Sequence, residues 1–334
     1  MLSVIPTDMI YIKYSSPDVS LNLAAEYYFA SEKTFDEDLF MLWQPRPTVV
    51  VGNFQNIHEE VDTAYAASRG IDIVRRLSGG GTVYQDGGSI QYAFVERRDG
   101  DIDFARYLTP ICRVLKSLGI DAVPNGRNDI TVDGKKVSGN SQYRVSGRTI
   151  HHGTLLFSVD VDEMERATRL PDYKAKSKGI KSVRSRVANL SDYTTAVKNP
   201  EEFMEYLAEN MRPRSVYVPT EADLVRIEEI ANERFRAERG GNLSVRSPKF
   251  DIEKVCTFAG GNMIFAFTVK SGIITDVSVR GDFFTDSSVE TLEKALEGIA
   301  FTASAVSEAV KGSGFSAMGI TADAIAEKLS CGIA

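Results

Sequence analysis

The sequence of 334 residues is 43% hydrophobic and 25% charged, which is typical of a globular protein with room for more than one domain. Its formal net charge of -7 argues against nucleic acid as the main partner, because nonspecific binding to a phosphate polymer needs a dominant positive field. No run of about 18 apolar residues and no signal-peptide pattern occurs, so we expect no membrane contact and a cytoplasmic location.

The N-terminal part of the chain alternates between helix and strand patterns. Residues 20–31 predict a helix with its apolar side chains on one face and Ser20 as the N-cap. A second helix is predicted at residues 61–69. Short strand-like runs bounded by turn residues are found at residues 38–43, 48–52 and 71–74.

A glycine-rich segment with the sequence RRLSGGGTVYQDGGS follows, at residues 75–89. The three glycines at residues 79–81 have no Cβ, so the backbone can turn sharply and bring its N–H groups against a ligand. Arg75 and Arg76 supply charge that matches a phosphate or carboxylate. Strand residues resume at Thr82, and neither a P-loop nor a GxGxxG pattern fits. A plain hairpin turn and an anion-binding loop remain alternatives.

The middle of the chain predicts a helix and then a group of strands. Residues 104–118 have helical periodicity, and Gly119 stands in the place of a C-terminal cap. Strands resume at residue 129, where Asp133-Gly134 predicts a hairpin and places Lys136 early in the returning strand. A lysine beside a turn is usually a solvated charge, so position alone gives Lys136 no role.

Two adjacent histidines, His151 and His152, lie in the following strand pattern. Neighbouring strand residues face opposite sides of a sheet, and no third ligand stands at a useful spacing. The pair therefore does not predict a metal site.

Residues 173–191 carry basic side chains and no acidic one, and they predict either a solvated loop or a lid over phosphate. Helical, charged sequence continues to about residue 239, and Gly240-Gly241 predicts a linker. Beyond it we expect two or three strands around a Ser271-Gly272 turn. Helices are then predicted at 287–299, with Ser287 and Glu290 in capping-box spacing, at 303–311 and at 321–329. This pattern predicts a small α+β unit after the linker, with domains at residues 1–242 and 243–334.

Three ordered segments together resemble the lipoate protein ligase family. They are RRLSGGGTVYQD, then NDITVDGKKVSGNSQYR with HHGTLL, then KSKGIKSVRSRVANL. The resemblance extends to NLAAEYY, VVVGNFQN, SPKF and GDFF, so it covers nearly the whole chain. It implies a catalytic domain related in fold to biotin protein ligases and class II aminoacyl-tRNA synthetases, with a mixed β-sheet and flanking helices, plus a small α+β C-terminal domain.

The resemblance also implies a reaction. Lipoate and ATP, accompanied by Mg²⁺, form lipoyl-AMP and pyrophosphate, and the lipoyl group then passes to a lysine of a carrier domain. The implied carriers are the lipoyl domains of 2-oxoacid dehydrogenase complexes and the glycine cleavage H protein. Lys136 matches the catalytic lysine of the KVSG motif, and as a mobile point charge it can bridge the lipoate carboxylate and the α-phosphate, two anions that otherwise repel each other.

The resemblance implies further site residues by position. Around ATP and the adenylate these are Arg76, Gly81, Thr82, Val83, Tyr84, Asn128, Asp129, Lys136 and Lys178. Around lipoate they are Ser78, Gly79, Gly80, Lys136, His152 and Gly153. For Asp129 the resemblance leaves two roles open, a contact with magnesium or with the ribose.

Two positions depart from the family pattern. Gln85 stands where many relatives have histidine, and Ser89 stands where they have the asparagine of a D-x-G-N tetrad. Gln85 still forms hydrogen bonds but cannot carry charge or shuttle a proton. These departures keep open a paralogue that binds lipoyl-AMP or a carrier without completing catalysis.

Octanoyl or lipoyl transfer by a cysteine nucleophile is another alternative, since sister families on the same fold use it. The three cysteines, Cys112, Cys256 and Cys331, lie far apart, outside metal-binding spacing and in settings that do not suggest a reactive thiolate. Biotin ligation is less favoured, because the GRGRRG loop of that family does not occur.

Overall fold

The computed structural model describes residues 9–33, 35–97, 102–169, 183–236, 250–331 and 333. Its strands, in chain order, are β1 (Met9–Ile12), β2 (Asp38–Trp43), β3 (Thr48–Val51), β4 (Asp72–Arg75), β5 (Val83–Gln85), β6 (Ser89–Glu96), β7 (Val123–Asn125), β8 (Asp129–Val132), β9 (Lys135–Val145), β10 (Arg148–Leu156), β11 (Ser215–Tyr217), β12 (Ile252–Phe258), β13 (Gly261–Lys270) and β14 (Ile273–Gly281). Its α-helices are α1 (Val19–Ser31), α2 (Ile57–Glu60), α3 (Thr63–Arg69), α4 (Phe104–Ser117), α5 (Val161–Ala167), α6 (Val183–Arg186), α7 (Pro200–Asn210), α8 (Glu221–Ile230), α9 (Val289–Leu296), α10 (Ala303–Gly312) and α11 (Ala322–Ser330).

An eight-stranded mixed sheet forms the centre of the larger domain, in the order β11-β1-β2-β6-β10-β9-β8-β7. β1 is parallel to β2 and β11, and the other neighbours are antiparallel. Helices α4 and α7 pack on one face and α1 and α8 on the other, each with its own apolar cluster. Because both faces are covered, the central strands β6 and β10 are buried at every position.

A second, three-stranded sheet in the order β4-β3-β5 carries the glycine-rich segment. β3 pairs in parallel with β4 and antiparallel with β5, so it lies between them. The glycines therefore belong to a connection that crosses β3, and the hairpin-turn alternative is wrong. The apolar strand β3 takes the backbone hydrogen bonds that a hairpin would have formed between β4 and β5.

The C-terminal unit is a three-stranded antiparallel sheet, β12-β13-β14, covered by α9, α10 and α11 around a separate apolar cluster. The predicted Ser271-Gly272 turn is confirmed: both residues have left-handed φ angles, 50° and 77°, as a tight hairpin requires. The mixed α+β class predicted for the whole chain is confirmed.

Two predicted helix caps are wrong by one or two residues. Asp18, not Ser20, caps α1 and accepts a hydrogen bond from the Ser20 backbone N–H at 2.9 Å. Ser288, not Ser287, caps α9. In both cases the true start leaves an apolar first residue, Val19 or Val289, buried in a core cluster, and this packing selects between two polar residues that are each able to cap.

The helix predicted at residues 61–69 is confirmed as α3, which begins two residues later, at Thr63. A short turn of helix, α2, precedes it, and Asp62 caps α3 by accepting from the Tyr65 N–H at 3.0 Å. The Asp133-Gly134 hairpin and the helix ending before Gly119 are confirmed. Lys178 and the Gly240-Gly241 linker lie outside the described residues. Among the residues that are described, no helix has the length and apolar character needed to cross a bilayer.

Candidate active site

A cavity with about 600 Å³ of empty space, its open mouth included, lies where the eight-stranded sheet, the β4-β3-β5 sheet and α1 meet. Its lining combines apolar side chains, amides, glycines and two cationic side chains. These residues are Val19, Leu23, Trp43, Val50, Arg76, Gly81, Thr82, Val83, Gln85, Gln91, Asn128, Lys136, Gly139, Asn140, Ser141, His152, Gly153 and Thr154. The mixture suits a ligand with an anionic end and an apolar end.

Lys136 lies at the start of β9, where a register shift interrupts the pairing with β8. Its Nζ lies 2.7 Å from Asp129 Oδ1, and each side chain is about one-third exposed, at 35% and 34%. A Cβ on Gly139 would lie 2.7 Å from the same Nζ, so glycine at this position makes room for the ammonium group. The lysine is thus held at the cavity wall by one carboxylate and remains open to an anionic ligand.

The asparagines beside this lysine tie β8 to β9. Asn128 Nδ2 donates to Asn140 O at 2.7 Å, and Asn140 Nδ2 donates to Asn128 O at 2.9 Å. Asn140 Oδ1 accepts from the hydroxyl of Tyr92. A Cβ on Gly153 would lie 2.0 Å from that Oδ1, so the packing of Asn140 requires glycine at residue 153.

Arg76 holds the glycine loop, residues 78–81, from inside. Its guanidinium donates to Gly79 O and Gly81 O, both at 2.7 Å, and also to Val50 O and Ser78 Oγ. The side chain is buried, and burial lowers its pKa to about 10. Arg76 therefore stays protonated at neutral pH and places a positive charge behind the loop. Most of its donors are engaged by the loop itself.

The C-terminal unit closes over the same loop. Gly80 N donates to Phe283 O at 3.1 Å, and Gly80 has a left-handed φ of 87°. A Cβ on Gly79 would lie 2.4 Å from Phe283 O, and one on Gly80 would lie 2.6 Å from the ring of Phe284. A Cβ on Gly81 would meet nothing within 4 Å. Two glycines therefore serve the contact between domains, and the third faces open space.

A buried relay of hydrogen bonds joins α1 to the glycine loop. Glu26 Oε2 lies 2.8 Å from His152 Nδ1, and His152 Nε2 lies 2.7 Å from Ser78 Oγ. Ser78 Oγ also accepts from Arg76 Nε at 3.0 Å. The carboxylate of Glu26 can only accept, so His152 Nδ1 donates to it, and in a neutral imidazole Nε2 then accepts the Ser78 hydroxyl proton. Glu26 Oε1 accepts from the indole N–H of Trp43 at 3.2 Å.

The apolar part of the cavity is formed by α1, β2 and the β4-β3-β5 sheet. Its lining side chains are Val19, Leu23, Trp43, Val50 and Val83. Next to them, Gln91 Oε1 accepts from Thr154 Oγ1 at 2.6 Å and from Gln85 Nε2 at 3.1 Å. The apolar end of the cavity therefore has a polar patch of two amides and a hydroxyl.

The predicted opposite orientation of the paired histidines is confirmed. His152 lines the cavity, whereas His151 stacks on Tyr107 with ring centroids 4.3 Å apart and lies in the core. Burial lowers the pKa of His151 well below its usual value, so it is neutral. Within the described residues no group of three metal-ligating side chains is present.

Most of the residues named from the sequence converge on this cavity. Those in its lining are Arg76, Gly81, Thr82, Val83, Asn128, Lys136, His152 and Gly153. Those that lie behind the lining are Ser78, Gly79, Gly80 and Asp129, which contact lining residues. Tyr84 is buried in another apolar cluster, with Val49 and Leu156, and only its backbone continues the strand from Val83.

Glu26 and Trp43 were not found from the sequence, since an apolar helix face and a strand pattern gave no sign that they meet His152. Gln91 and Asn140 were missed for the same reason. The cysteines lie outside the cavity lining, and burial raises the pKa of Cys112 to about 12 and that of Cys256 above its usual value. Neither supplies a thiolate at neutral pH, so the cysteine-nucleophile alternative has no support from these two residues.

Comparisons with known proteins identify the family of this chain. Residues 18–212 match the family described as "Lipoyl protein ligase A/B catalytic domain", and residues 247–329 match "Bacterial lipoate protein ligase C-terminus". The chain is 36% identical to lipoate-protein ligase LplJ of Bacillus subtilis, covering 88% of this chain and 91% of that protein. It is 38% identical to lipoate-protein ligase 1 of Staphylococcus aureus, covering 84% and 87%.

Solved structures show the same fold. P. falciparum LipL1 in complex with lipoate superposes with a TM-score of 0.74 at 22% identity, covering 92% of this chain and 95% of that chain. A bipartite lipoate protein ligase from Thermoplasma acidophilum, described together with its E2 lipoyl domain, has a TM-score of 0.61 at 25% identity, covering 73% and 99%. Both the catalytic and the C-terminal family models match, and the curated relatives align over nearly their whole length. The chain therefore belongs to the lipoate protein ligase family.

Proposed function

We propose that this protein activates lipoate with ATP to form lipoyl-AMP and pyrophosphate, and then transfers the lipoyl group to a lysine of a lipoyl carrier domain. The observation that carries the proposal is the position of Lys136 at the wall of a cavity that is apolar at its other end. A carboxylic acid with an apolar chain fits this distribution of charge.

Lys136 is the proposed catalytic residue. In the first step a carboxylate attacks the α-phosphate, and the repulsion between the two anions is the main electrostatic barrier. An ammonium group between them lowers that repulsion most in the transition state, where the two groups approach closest. Asp129 keeps the Nζ at the cavity wall until the anionic substrates replace it as partners.

The glycine loop is the proposed nucleotide site. Gly81, Thr82 and Val83 line the cavity beside Arg76, and Gly81 leaves open space for a ligand. Because Arg76 is engaged by loop carbonyls, we assign it chiefly to holding the loop and to placing positive charge behind the phosphates. Asn128 lines the cavity near Lys136, whereas Tyr84 contributes through its backbone only.

Lipoate is proposed to run from Lys136 past Gly153 and His152 to the apolar end of the cavity. Ser78, Gly79 and Gly80 support this path from behind, through the relay and the loop. Mg²⁺ bound to ATP takes most of its ligands from phosphates and water, so the single carboxylate of Asp129 fits such an ion as one contact. The metal would supply charge neutralisation at the phosphates. Lys178, in the basic segment predicted to be a lid, is proposed to cover the adenylate.

The transfer step needs no nucleophile from this chain, because the carrier lysine attacks the mixed anhydride. The proposed acceptors are the lipoyl domains of 2-oxoacid dehydrogenase complexes and the glycine cleavage H protein. The family membership and the description of a relative with its E2 lipoyl domain support this class of partner. Lipoyl domains that remain unmodified while adenylate forms would limit the proposal to the first step.

The test is lipoate-dependent pyrophosphate release from ATP by the purified protein, followed by mass spectrometry of an added lipoyl domain. We expect pyrophosphate release together with a lipoyl mass gain on the carrier. Absence of pyrophosphate release at saturating lipoate, ATP and Mg²⁺ would contradict the proposed function and favour a binding paralogue.

A further inference from the structure

The two positions that depart from the family pattern, Gln85 and Ser89, belong to one hydrogen-bonded network. Ser89 Oγ donates to Asp86 O at 2.8 Å, which commits its only proton. Gln91 Nε2 donates to Ser89 Oγ at 2.9 Å, and this fixes the orientation of the Gln91 amide. The other end of that amide, Oε1, then faces Thr154 and Gln85 as an acceptor.

This order of donors fixes the Gln85 amide as well. Gln91 Oε1 can only accept, so Gln85 must turn its Nε2 toward it. Gln85 Oε1 then points away from the network. Within the described part of the chain this oxygen is buried and has no hydrogen-bond donor, and Gln85 is one of the residues that line the cavity. Leaving a buried acceptor without a partner is unfavourable, so a ligand that supplies a donor binds more tightly here.

The position of the network along the sheet identifies the part of the ligand that reaches it. Thr154 is opposite Gly139 on one side and Gln91 on the other, and Gln91 is opposite Trp43. Gly139 lies against Lys136 Nζ. Neighbouring strands are about 4.8 Å apart, so Gln91 is about 10 Å across the sheet from Gly139. An acyl chain whose carboxylate is at Lys136 therefore brings its distal end to Gln85, Gln91 and Thr154.

We propose that Gln85, oriented by Ser89, Gln91 and Thr154, is a specificity-determining residue that favours acyl groups with a hydrogen-bond donor at the distal end. This inference rests on the proposed function of the site. The dithiol form of lipoate carries S–H donors there, whereas the disulfide form and octanoate carry none. The pocket therefore prefers dihydrolipoate to octanoate, and this preference is larger than the difference in size between the two acids alone would give.

The test compares acids in pairs that differ in the donor. One pair is ω-hydroxyoctanoate and nonanoate, which have the same length and differ by a hydroxyl in place of a methyl group. The other is dihydrolipoate, kept reduced by a phosphine, and lipoate. The measured quantity is kcat/KM for acid-dependent pyrophosphate release by the full-length protein and by Gln85→Met, which keeps the length of the side chain and removes the acceptor.

We expect the ratio of kcat/KM between donor and donor-free acids to fall about three- to tenfold in Gln85→Met, the effect of one hydrogen bond. The matched control is Gln142→Met. Gln142 is a buried glutamine of β9 whose Oε1 also has no partner among the described residues, but it is outside the cavity lining. Its substitution should leave both ratios unchanged.

Equal losses for all acids in Gln85→Met, or an unchanged ratio, overturn the inference, because a water molecule would then satisfy Gln85 Oε1. In that case the wild-type protein still uses lipoate, and the proposed function stands. A wild-type protein that releases no pyrophosphate with any of the four acids overturns both.

Discussion

A single charged side chain, Lys136, is the residue on which the chemistry of the site depends most. We predict that Lys136→Ala lowers the rate of adenylate formation about 100- to 1,000-fold, the range measured when one preorganised electrostatic donor is removed from an active site. The substitution leaves Asp129 partly exposed to water, so the fold should persist. The measurement is lipoate-dependent pyrophosphate release, with circular dichroism to check folding.

The neighbouring Lys135 offers a matched control. It is exposed at the start of β9 and lies outside the active-site lining, so Lys135→Ala should keep the wild-type rate. A folded Lys136→Ala protein that releases pyrophosphate at the wild-type rate would remove Lys136 from the catalytic role.

The buried carboxylate of Glu26 is a positioning group that acts through His152. It accepts from both Trp43 and His152, and a glutamine at this position offers only one acceptor. In Glu26→Gln the side-chain oxygen keeps Trp43, and the new N–H₂ group forces His152 into the Nε2–H tautomer. His152 Nε2–H then donates to Ser78 Oγ, so Ser78 loses the acceptor for its own proton and the hydrogen bond that joins His152 to the glycine loop is reversed.

We expect Glu26→Gln to raise KM for lipoate several-fold and to exchange the protonated ring nitrogen of His152, as seen in long-range ¹H–¹⁵N correlation spectra. Glu32→Gln, at the C-cap of the same helix, is the control, because Glu32 pairs with Arg226 in a partly exposed position away from His152. An unchanged His152 tautomer in Glu26→Gln would contradict this assignment.

At the residue scale, the sequence predicted single positions better than pairs. Lys136 and Arg76 could be named because short motifs carry them. Glu26 could not, since its partner His152 is 126 positions away and nothing in the local pattern of α1 marks one buried carboxylate. A hydrogen bond between distant segments depends on the packing of whole elements, which local patterns do not contain.

At the scale of elements, the three glycines at residues 79–81 differ in whether the fold leaves room for a side chain. We predict that Gly80→Ala lowers the midpoint of thermal unfolding and also activity. A left-handed residue with a side chain costs about 1 to 3 kcal/mol, and the added Cβ would lie 2.6 Å from the buried ring of Phe284. Scanning calorimetry measures the first effect and pyrophosphate release the second.

Gly81→Ala is the matched comparison in the same loop. Its Cβ would meet no protein atom within 4 Å, so the unfolding midpoint should stay at the wild-type value. If Gly81 faces the nucleotide, as proposed, KM for ATP rises in this variant although the fold is unchanged. Equal losses of stability in the two variants would contradict the separation of a packing glycine from a ligand-facing one.

Local sequence patterns predicted the strands on both sides of this loop, but they did not predict how these strands pair. The runs at residues 71–74 and from Thr82 onward were identified by their composition, and a hairpin was the simplest connection between them. The insertion of β3 between β4 and β5 is a long-range event, driven by burial of a strand in which every side chain is covered. An apolar run of this length indicates a buried strand without naming its neighbours.

At the scale of the whole molecule, the C-terminal unit packs directly on the catalytic loop. Phe54 stacks on Phe283 with ring centroids 4.9 Å apart, and Arg127 lies 4.7 Å from the ring centroid of Phe284. Arg127 also donates to Gly260 O. These contacts join the 283–284 segment to the same loop that is proposed to hold the nucleotide, so a ligand in the loop and the position of the C-terminal unit affect each other.

Because of this coupling, we expect the C-terminal domain to change position between adenylation and transfer. The proposed boundary at residues 242 and 243 lies between the two family matches, next to Gly240-Gly241. A stable lipoyl-AMP analogue that occupies the glycine loop should weaken or replace the contacts of Gly80 with Phe283 and Phe284. We therefore predict that the analogue changes the rate of limited proteolysis at the linker several-fold, with the cut sites identified by mass spectrometry.

A companion experiment is the same digestion with Gly80→Ala. In this variant the contact of residue 80 with Phe284 is already strained before ligand is added. Its linker should be cut without analogue at a rate closer to that of the analogue-bound wild type, because a side chain at residue 80 and a ligand in the loop act on the same contact. Equal cutting of the wild type with and without analogue would count against repositioning. The contact between Gly80 and the 283–284 segment would then be a permanent part of the fold, and the C-terminal domain would act on the nucleotide site by supporting the loop in one fixed arrangement.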